Sequence, residues 1–168
     1  ITLGDVAVIN ITVPEDATGN ITVSVNGTEV TVGIVNGTAT AVIPGLKVGN
    51  YTVDVSYNGD DKYLPSENST AFGVGKVTTE GIKVIDQGNR TVVVAVPDNA
   101  TGNVTIKVGN ETYTGPVVNG TAVITLTNTT PGTHDIEVIY SGDENHTAAT
   151  TNATVTIPKY DAPIDVTV

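Results

Sequence analysis

The sequence predicts an all-β protein built as two tandem antiparallel sandwiches, and three observations carry that prediction. The first is a repeat. Val13 to Asn20 reads VPEDATGN and Val96 to Asn103 reads VPDNATGN, an offset of 83 residues. At the same offset Asn36-Gly37-Thr38-Ala39 falls on Asn119-Gly120-Thr121-Ala122, Tyr57 on Tyr140, and Gly59-Asp60 on Gly142-Asp143. About 19 of the 62 positions from Val13 to Val74 are identical to their counterparts, more than chance periodicity gives. The second is alternation of apolar and polar residues with period two through almost every segment, the signature of half-buried strands. The third is composition: the apolar residues are mostly Val, Ile and Ala, with one Phe, no Trp and abundant Thr. Such β-branched material suits pleated surfaces and forms helices poorly.

Taken in order, Val6 to Val13 directs Ala7, Ile9, Ile11 and Val13 inward, with Asn10 and Thr12 outward. Pro14 lacks the amide a ladder needs and ends the strand. After a loop from Glu15 to Gly19, Ile21, Val23 and Val25 point in. Asn26-Gly27 signals a tight turn, because both central residues of a type I′ turn need positive φ. Thr28 to Val35 returns, Asn36-Gly37 turns again, Ala39, Ala41 and Ile43 point in, and Pro44-Gly45 closes that strand. Gly49 to Tyr57 places Tyr51, Val53, Val55 and Tyr57 on one face. A loop from Asn58 to Glu67 and a strand from about Asn68 to Val74 complete the unit. The second unit repeats the plan with Val92/Val94/Val96, Val104/Ile106/Val108, Ala122/Ile124/Leu126 and His134/Ile136/Val138/Tyr140. About seven short strands per unit, with turns every eight to twelve residues, point to a sandwich of immunoglobulin-like type.

The expected domains are residues 1–75, with the entry strand cut short, and 76–158, followed at 159–168 by the start of a third repeat or a C-terminal tail. Lys159 falls on Lys76, so the tail corresponds to the entry strand of the second unit, and Ile1 corresponds to Val84. The alternating Ile164, Val166 and Val168 suit strand exchange between copies through residues 161–168, at the edge that this offset leaves open on the first unit.

The net charge of -11 argues against nucleic acid and anionic lipid as partners, since both need a positive field. The chain has no Cys, which excludes disulfides and thiolate metal sites. No apolar run reaches membrane-spanning length, so no membrane contact is expected within these residues. No His cluster has ligand spacing, and no Ser sits on a nucleophile elbow. His134 takes the core-facing position of Tyr51, where a packed residue is expected, and His146 matches Tyr63 in a loop. The chain is therefore expected to be non-catalytic.

Asn is the informative residue type. Fourteen of 15 stand in N-x-T: Asn10, Asn20, Asn26, Asn36, Asn50, Asn68, Asn89, Asn99, Asn103, Asn110, Asn119, Asn128, Asn145 and Asn152. Random placement among the 34 Ser and Thr residues would put about 3 there. Strand alternation puts Asn and Thr on one outward face and so explains part of the enrichment. Only some of the sites coincide between the units, as Asn20/Asn103 and Asn36/Asn119 do, while Asn10, Asn50, Asn110, Asn128 and Asn145 have no counterpart. Density that persists while positions wander fits a glycan coat, whose action depends on coverage. A second expectation concerns calcium. Glu80, Asp98, Asp143 and Glu144 lie in loops that meet at one pole of an immunoglobulin-like sandwich and are candidate oxygen ligands beside the linker, although no calcium-loop spacing is present.

The segments VPEDATGNITVSVNGTE, VNGTATAVIPGLKVGNYTVDVSYNGDDKYLPSENST, VNGTAVITL and YSGDENH resemble the Ig-like repeats of adhesin-like surface proteins of methanogenic archaea, themselves related to bacterial Ig-like (Big-type) domains. The second unit departs from the pattern at Thr127–Pro131 and Asn145–Ala149. The resemblance implies an extracellular, cell-surface stalk for cell adhesion whose nearest partners are other repeats of the same array, with no catalytic residue to carry over. The alternative is a module whose loops at one pole grip a carbohydrate or protein on a partner cell. Against sugar stacking, only Tyr63, Tyr113 and Tyr160 look free for it.

Overall fold

A computed structural model describes residues 1–167; Val168, which the sequence places in the alternating tail, lies outside the described residues. The chain divides into two compact units, Ile1–Lys76 and the chain from Val77 onward, one residue from the expected boundary at 75/76. Among the described residues there is no helix, and every strand pair is antiparallel.

The first unit has six strands: β1 (Ala7–Thr12), β2 (Asn20–Val25), β3 (Thr28–Gly33), β4 (Thr38–Ile43), β5 (Gly49–Tyr57) and β6 (Ser66–Val74). They form a four-stranded sheet in the order β3-β2-β5-β6, facing a two-stranded sheet β1-β4. The second unit has seven: β7 (Lys83–Gly88), β8 (Thr91–Ala95), β9 (Asn103–Val108), β10 (Glu111–Pro116), β11 (Thr121–Thr125), β12 (Gly132–Tyr140) and β13 (Ala149–Ile157). Here the sheets are β10-β9-β12-β13 and β11-β8-β7.

Period-two alternation sets the registers, because a slip of one residue would turn each apolar set outward. Ile21, Val23 and Val25 of β2 are buried against Ala39, Ala41 and Ile43 of β4, as Val104, Ile106 and Val108 of β9 are against Ala122 and Ile124 of β11. The Asn-Gly turns have the backbone that was read from them. Asn36 and Gly37 have φ of 49° and 71°, and Asn119 and Gly120 repeat those values. Glycine is required there by space as well as by φ: a Cβ on Gly37 would lie 2.8 Å from Glu15 Cα, and one on Gly120 would lie 2.7 Å from Asp98 Cα.

The units differ along one side. In the second, the segment before β7 runs beside the start of β13. Val77 N–H donates to Asn145 O (2.8 Å) and Thr147 N–H donates to Val77 O (2.9 Å). Thr79 is buried, its amide donating to Thr147 Oγ1 (2.9 Å) and its hydroxyl to Thr147 O (2.6 Å). Ile82 and Val84 then pack on the core as the chain enters β7. In the first unit, Ile1–Leu3 bonds instead to the far end of β6: Leu3 N–H donates to Gly75 O (2.9 Å) and Gly75 N–H to Ile1 O (2.8 Å).

Candidate functional site

All fourteen N-x-T asparagines have exposed side chains. Asn10, Asn20, Asn50, Asn68, Asn103 and Asn152 stand on strands. Asn26, Asn36, Asn89, Asn99, Asn110, Asn119, Asn128 and Asn145 stand in turns and loops, and Asn26, Asn36, Asn89 and Asn119 have φ between 48° and 50°. Asn10 accepts at Oδ1 from the Thr40 hydroxyl (3.1 Å) and Asn68 at Oδ1 from the Ser69 amide (2.9 Å). Both leave Nδ2, the atom glycosylated in this motif, outside those bonds.

The residues most faithfully repeated between the units converge elsewhere, at one pole of each sandwich. In the first unit the Asp60 carboxylate accepts from the amides of Thr18 (2.8 Å), Lys62 (2.8 Å) and Tyr63 (2.7 Å), which fastens the β5–β6 loop to the β1–β2 loop. Tyr57, at the end of β5, donates its hydroxyl to Thr18 O at 3.0 Å. Asp16 adds an ion pair with Lys62 and accepts the Tyr63 hydroxyl at 2.6 Å. In the second unit Asp143 accepts from the amides of Thr101 (2.7 Å), Asn145 (2.8 Å) and His146 (2.7 Å), while the Tyr140 hydroxyl bonds Thr101 O at 2.8 Å and Asp143 Oδ2 at 3.1 Å. The repeated glycine before each Asp has positive φ, and a Cβ there would sit 2.6 Å from Tyr63 O at Gly59, or 2.7 Å from the Ala148 amide nitrogen at Gly142.

Amide donors decide the charge state at this pole. At Asp60, bonds from the Thr18 and Lys62 amides hold the carboxyl well below the usual carboxylate range. At Asp143, burial opposes ionisation, but the amides of Thr101, Asn145 and His146 outweigh it and also hold the carboxyl low. Burial, reinforced by the bond to Asp143, pushes the Tyr140 hydroxyl up to about 12.

Asp143 is the candidate calcium ligand that takes part in this network, both of its oxygens accepting hydrogen bonds. Glu80, Asp98 and Glu144 are exposed, and among the described residues no three His, Asp or Glu side chains come together as a metal-holding group.

The tyrosines read as free are all engaged. Tyr63 is bonded to Asp16 with Lys62 Nζ 5.2 Å from its ring centre. Tyr113 packs against the core and bonds Glu111, and Tyr160 lies beneath the Arg90 guanidinium at 4.4 Å. His134 is half-buried, with Nε2 2.7 Å from Thr130 O. His146, read as a loop residue, is 3% exposed, with Nδ1 3.0 Å from Asp143 Oδ1. Its match to Tyr63 was the available signal, since Tyr63 bonds an acidic side chain in the equivalent loop.

Each unit is thus an immunoglobulin-like β-sandwich closed at one pole by a repeated Tyr, Gly and Asp. Comparison with known proteins bears on the second unit: residues 76–158 match the family of bacterial Ig-like domains, group 3. No protein of curated function matches the chain. Among solved structures, the fibronectin(III)-like modules of Clostridium thermocellum CbhA are 16% identical, with 96% of this chain and 92% of that chain covered, at a TM-score of 0.37. A two-domain fibronectin type-III segment of chicken tenascin is 13% identical over 90% of this chain and 97% of that one, at 0.48. The BSP domain of a biofilm associated protein is 19% identical over 94% of this chain and 30% of that one, at 0.32. Among the described residues no helix is long and apolar enough to cross a membrane.

Proposed function

We propose that the chain is a non-catalytic spacer within an extracellular adhesin-like surface protein, of the kind found in methanogenic archaea, and that N-linked glycans coat its outer faces. The observation that carries this reading is the exposure of all fourteen N-x-T asparagines over both sandwiches, at turns and on outward strand faces alike. Exposed Asn is common by itself; fourteen of fifteen in one acceptor pattern is not. The poles add support. Their recurring polar side chains bond each other and the backbone, which fits a rigid bead in an array better than a catalytic cleft. Ig-like domains of this type are typically non-catalytic. The competing reading, a ligand grip formed by the pole loops, has less support, because Asp16, Asp60, Tyr63, Tyr140 and Asp143 at the pole are bonded within it.

The test is expression of the full chain in a host with N-glycosylation machinery, followed by glycopeptide mass spectrometry. Occupancy at many of the fourteen sites in both units is expected. Bare asparagines alongside an occupied control protein from the same host would overturn the coat. Binding of the unglycosylated chain to a defined glycan or surface protein would favour the ligand-grip reading over the spacer.

A further inference from the structure

Four asparagines are followed by glycine: Asn26, Asn36, Asn58 and Asn119. Such a step can react with itself, because glycine has no side chain to shield its amide nitrogen from the Cγ of the residue before it. The Gly N–Asn Cγ bond forms, the Cγ–Nδ2 bond breaks, and ammonia leaves with the proton of the glycine amide. Water then opens the cyclic imide at either carbonyl, which leaves aspartate or an isoaspartate whose backbone runs through Cβ and Cγ. The attack needs the peptide plane between the two residues to rotate out of its turn geometry. It therefore proceeds where the turn has room.

The structure separates the four steps by that measure. Gly37 O accepts from the Val13 amide (2.9 Å), Val35 and Thr38 exchange both backbone bonds (2.8 and 3.0 Å), and a Cβ on Gly37 would lie 2.8 Å from Glu15 Cα. Asn119-Gly120 is held in the same way, with Gly120 O bonded to the Val96 amide (2.9 Å) and Asp98 Cα 2.7 Å from the Cβ position. Gly59 is wedged against its own loop, 2.6 Å from Tyr63 O and 2.9 Å from the Pro65 nitrogen by the same test. Asn26-Gly27 differs. Both residues are exposed between β2 and β3, with φ of 50° and 78°, and among the described residues nothing lies within 4 Å of a Cβ built on Gly27. The matching hairpin of the second unit reads Gly109-Asn110, so its asparagine precedes Glu111, whose side chain shields the amide.

We propose that Asn26-Gly27 is a site of spontaneous succinimide formation in the bare chain, the first of the four Asn-Gly steps to convert, and that a sugar on Asn26 stops it. The two fates exclude each other, since glycosylation builds on Nδ2 and the imide expels it. Conversion also puts an extra backbone atom into a two-residue turn that needs positive φ at both positions, and it destroys the acceptor amide. The rate order holds with or without glycans; only the protection by sugar rests on the coat reading.

The experiment holds the unglycosylated full chain folded at mildly alkaline pH and follows each site by peptide mass spectrometry and isoaspartate-specific methylation. Asn26 is expected to convert at least about tenfold faster than Asn36, Asn58 or Asn119, the ratio that one or two extra restraints on the turn impose. In concentrated urea the four rates are expected to draw together, because the restraint is tertiary. An Asn26→Gly/Gly27→Asn variant, which copies the order in the second unit, is expected to keep its fold and end conversion in that hairpin. Conversion of Asn26 no faster than Asn36 and Asn119 in the folded chain overturns the proposal. So does a rate order that persists in urea, which would make local sequence the cause. In the chain from a glycosylating host, sugar-bearing Asn26 is expected to stay intact, and imide formation there overturns the protective role. A chain that such a host leaves bare overturns the coat reading, while the rate order still decides this one.

Discussion

The two units have the same pole and different flanks. At the pole, Tyr57, Gly59 and Asp60 make the contacts that Tyr140, Gly142 and Asp143 make. Along the flank, the first unit has a two-stranded sheet with half-buried Ile9 and Ile11, and the second a three-stranded sheet with fully buried Val92 and Val94. The comparison separates what the repeat needs to close a sandwich from what it can borrow. Pole closure is local to each unit and repeated in its residues. Flank closure depends on a segment that enters from the side, which Val77–Ile82 and β7 supply in the second unit.

Substitutions can break the two halves of that comparison separately, and the pole gives the largest effect. Gly59→Ala and Gly142→Ala each force a Cβ into backbone at a positive φ and are expected to cost about 3 kcal/mol or more, each in its own unit. Amide exchange followed residue by residue checks this, with protection lost in the mutated sandwich alone. The flank comes next. Val94→Ala is expected to cost about 2 kcal/mol, and Ile11→Ala about 1, because the side chain at position 11 is only half-buried. Urea titration of both variants reads the difference, and equal losses would mean that the two flanks are packed alike.

Tyr140→Phe is expected to cost about 1 kcal/mol through the hydroxyl bonds to Thr101 and Asp143. It also changes the alkaline limb. The folded Tyr140 titrates near 12 while an unfolded tyrosine titrates near 10, so the folded protein holds the proton between those values and stability falls as pH rises through them. The variant is expected to lose that slope in the second unit. At the acid end, Asp60 and Asp143 are held below an ordinary value of about 3.9. Their stabilisation is complete above that value and is lost as pH falls below it, because the unfolded chain then binds more protons. Asp143→Asn is expected to flatten the acid limb of the second unit only, read by thermal melts between pH 2 and 6. The smallest effect is expected at the surface: Asn99→Gln removes an acceptor site and is expected to shift stability by less than about 0.5 kcal/mol.

Much of this was legible in the residues. The inward sets of β2, β4, β9 and β11 follow from alternation alone, and the Asn-Gly turns follow from the need for positive φ, because both are properties of neighbours in the chain. The exposure of the N-x-T sites is legible for the same reason. The amide bonds of Asp143 were not legible, because a carboxylate in a loop reads the same whether it faces a cation or a set of amides, and those amides come from Thr101 as well as from its own loop. The burial of His146 was not legible either: nothing beside it in sequence shows that its loop is covered by the segment entering at Val77.

The sequence by itself determined two repeated sandwiches, their registers, their turns and an outer skin dense in acceptor asparagines, since periodicity and local φ preferences act within a few residues. Only the tertiary structure decided which carboxylates are saturated, that the loop histidine is buried, and that one flank of the second unit is covered by the segment entering at Val77. Those outcomes depend on contacts between residues some 40 to 70 positions apart, such as Thr18 with Asp60 and Thr79 with Thr147, which no local pattern encodes.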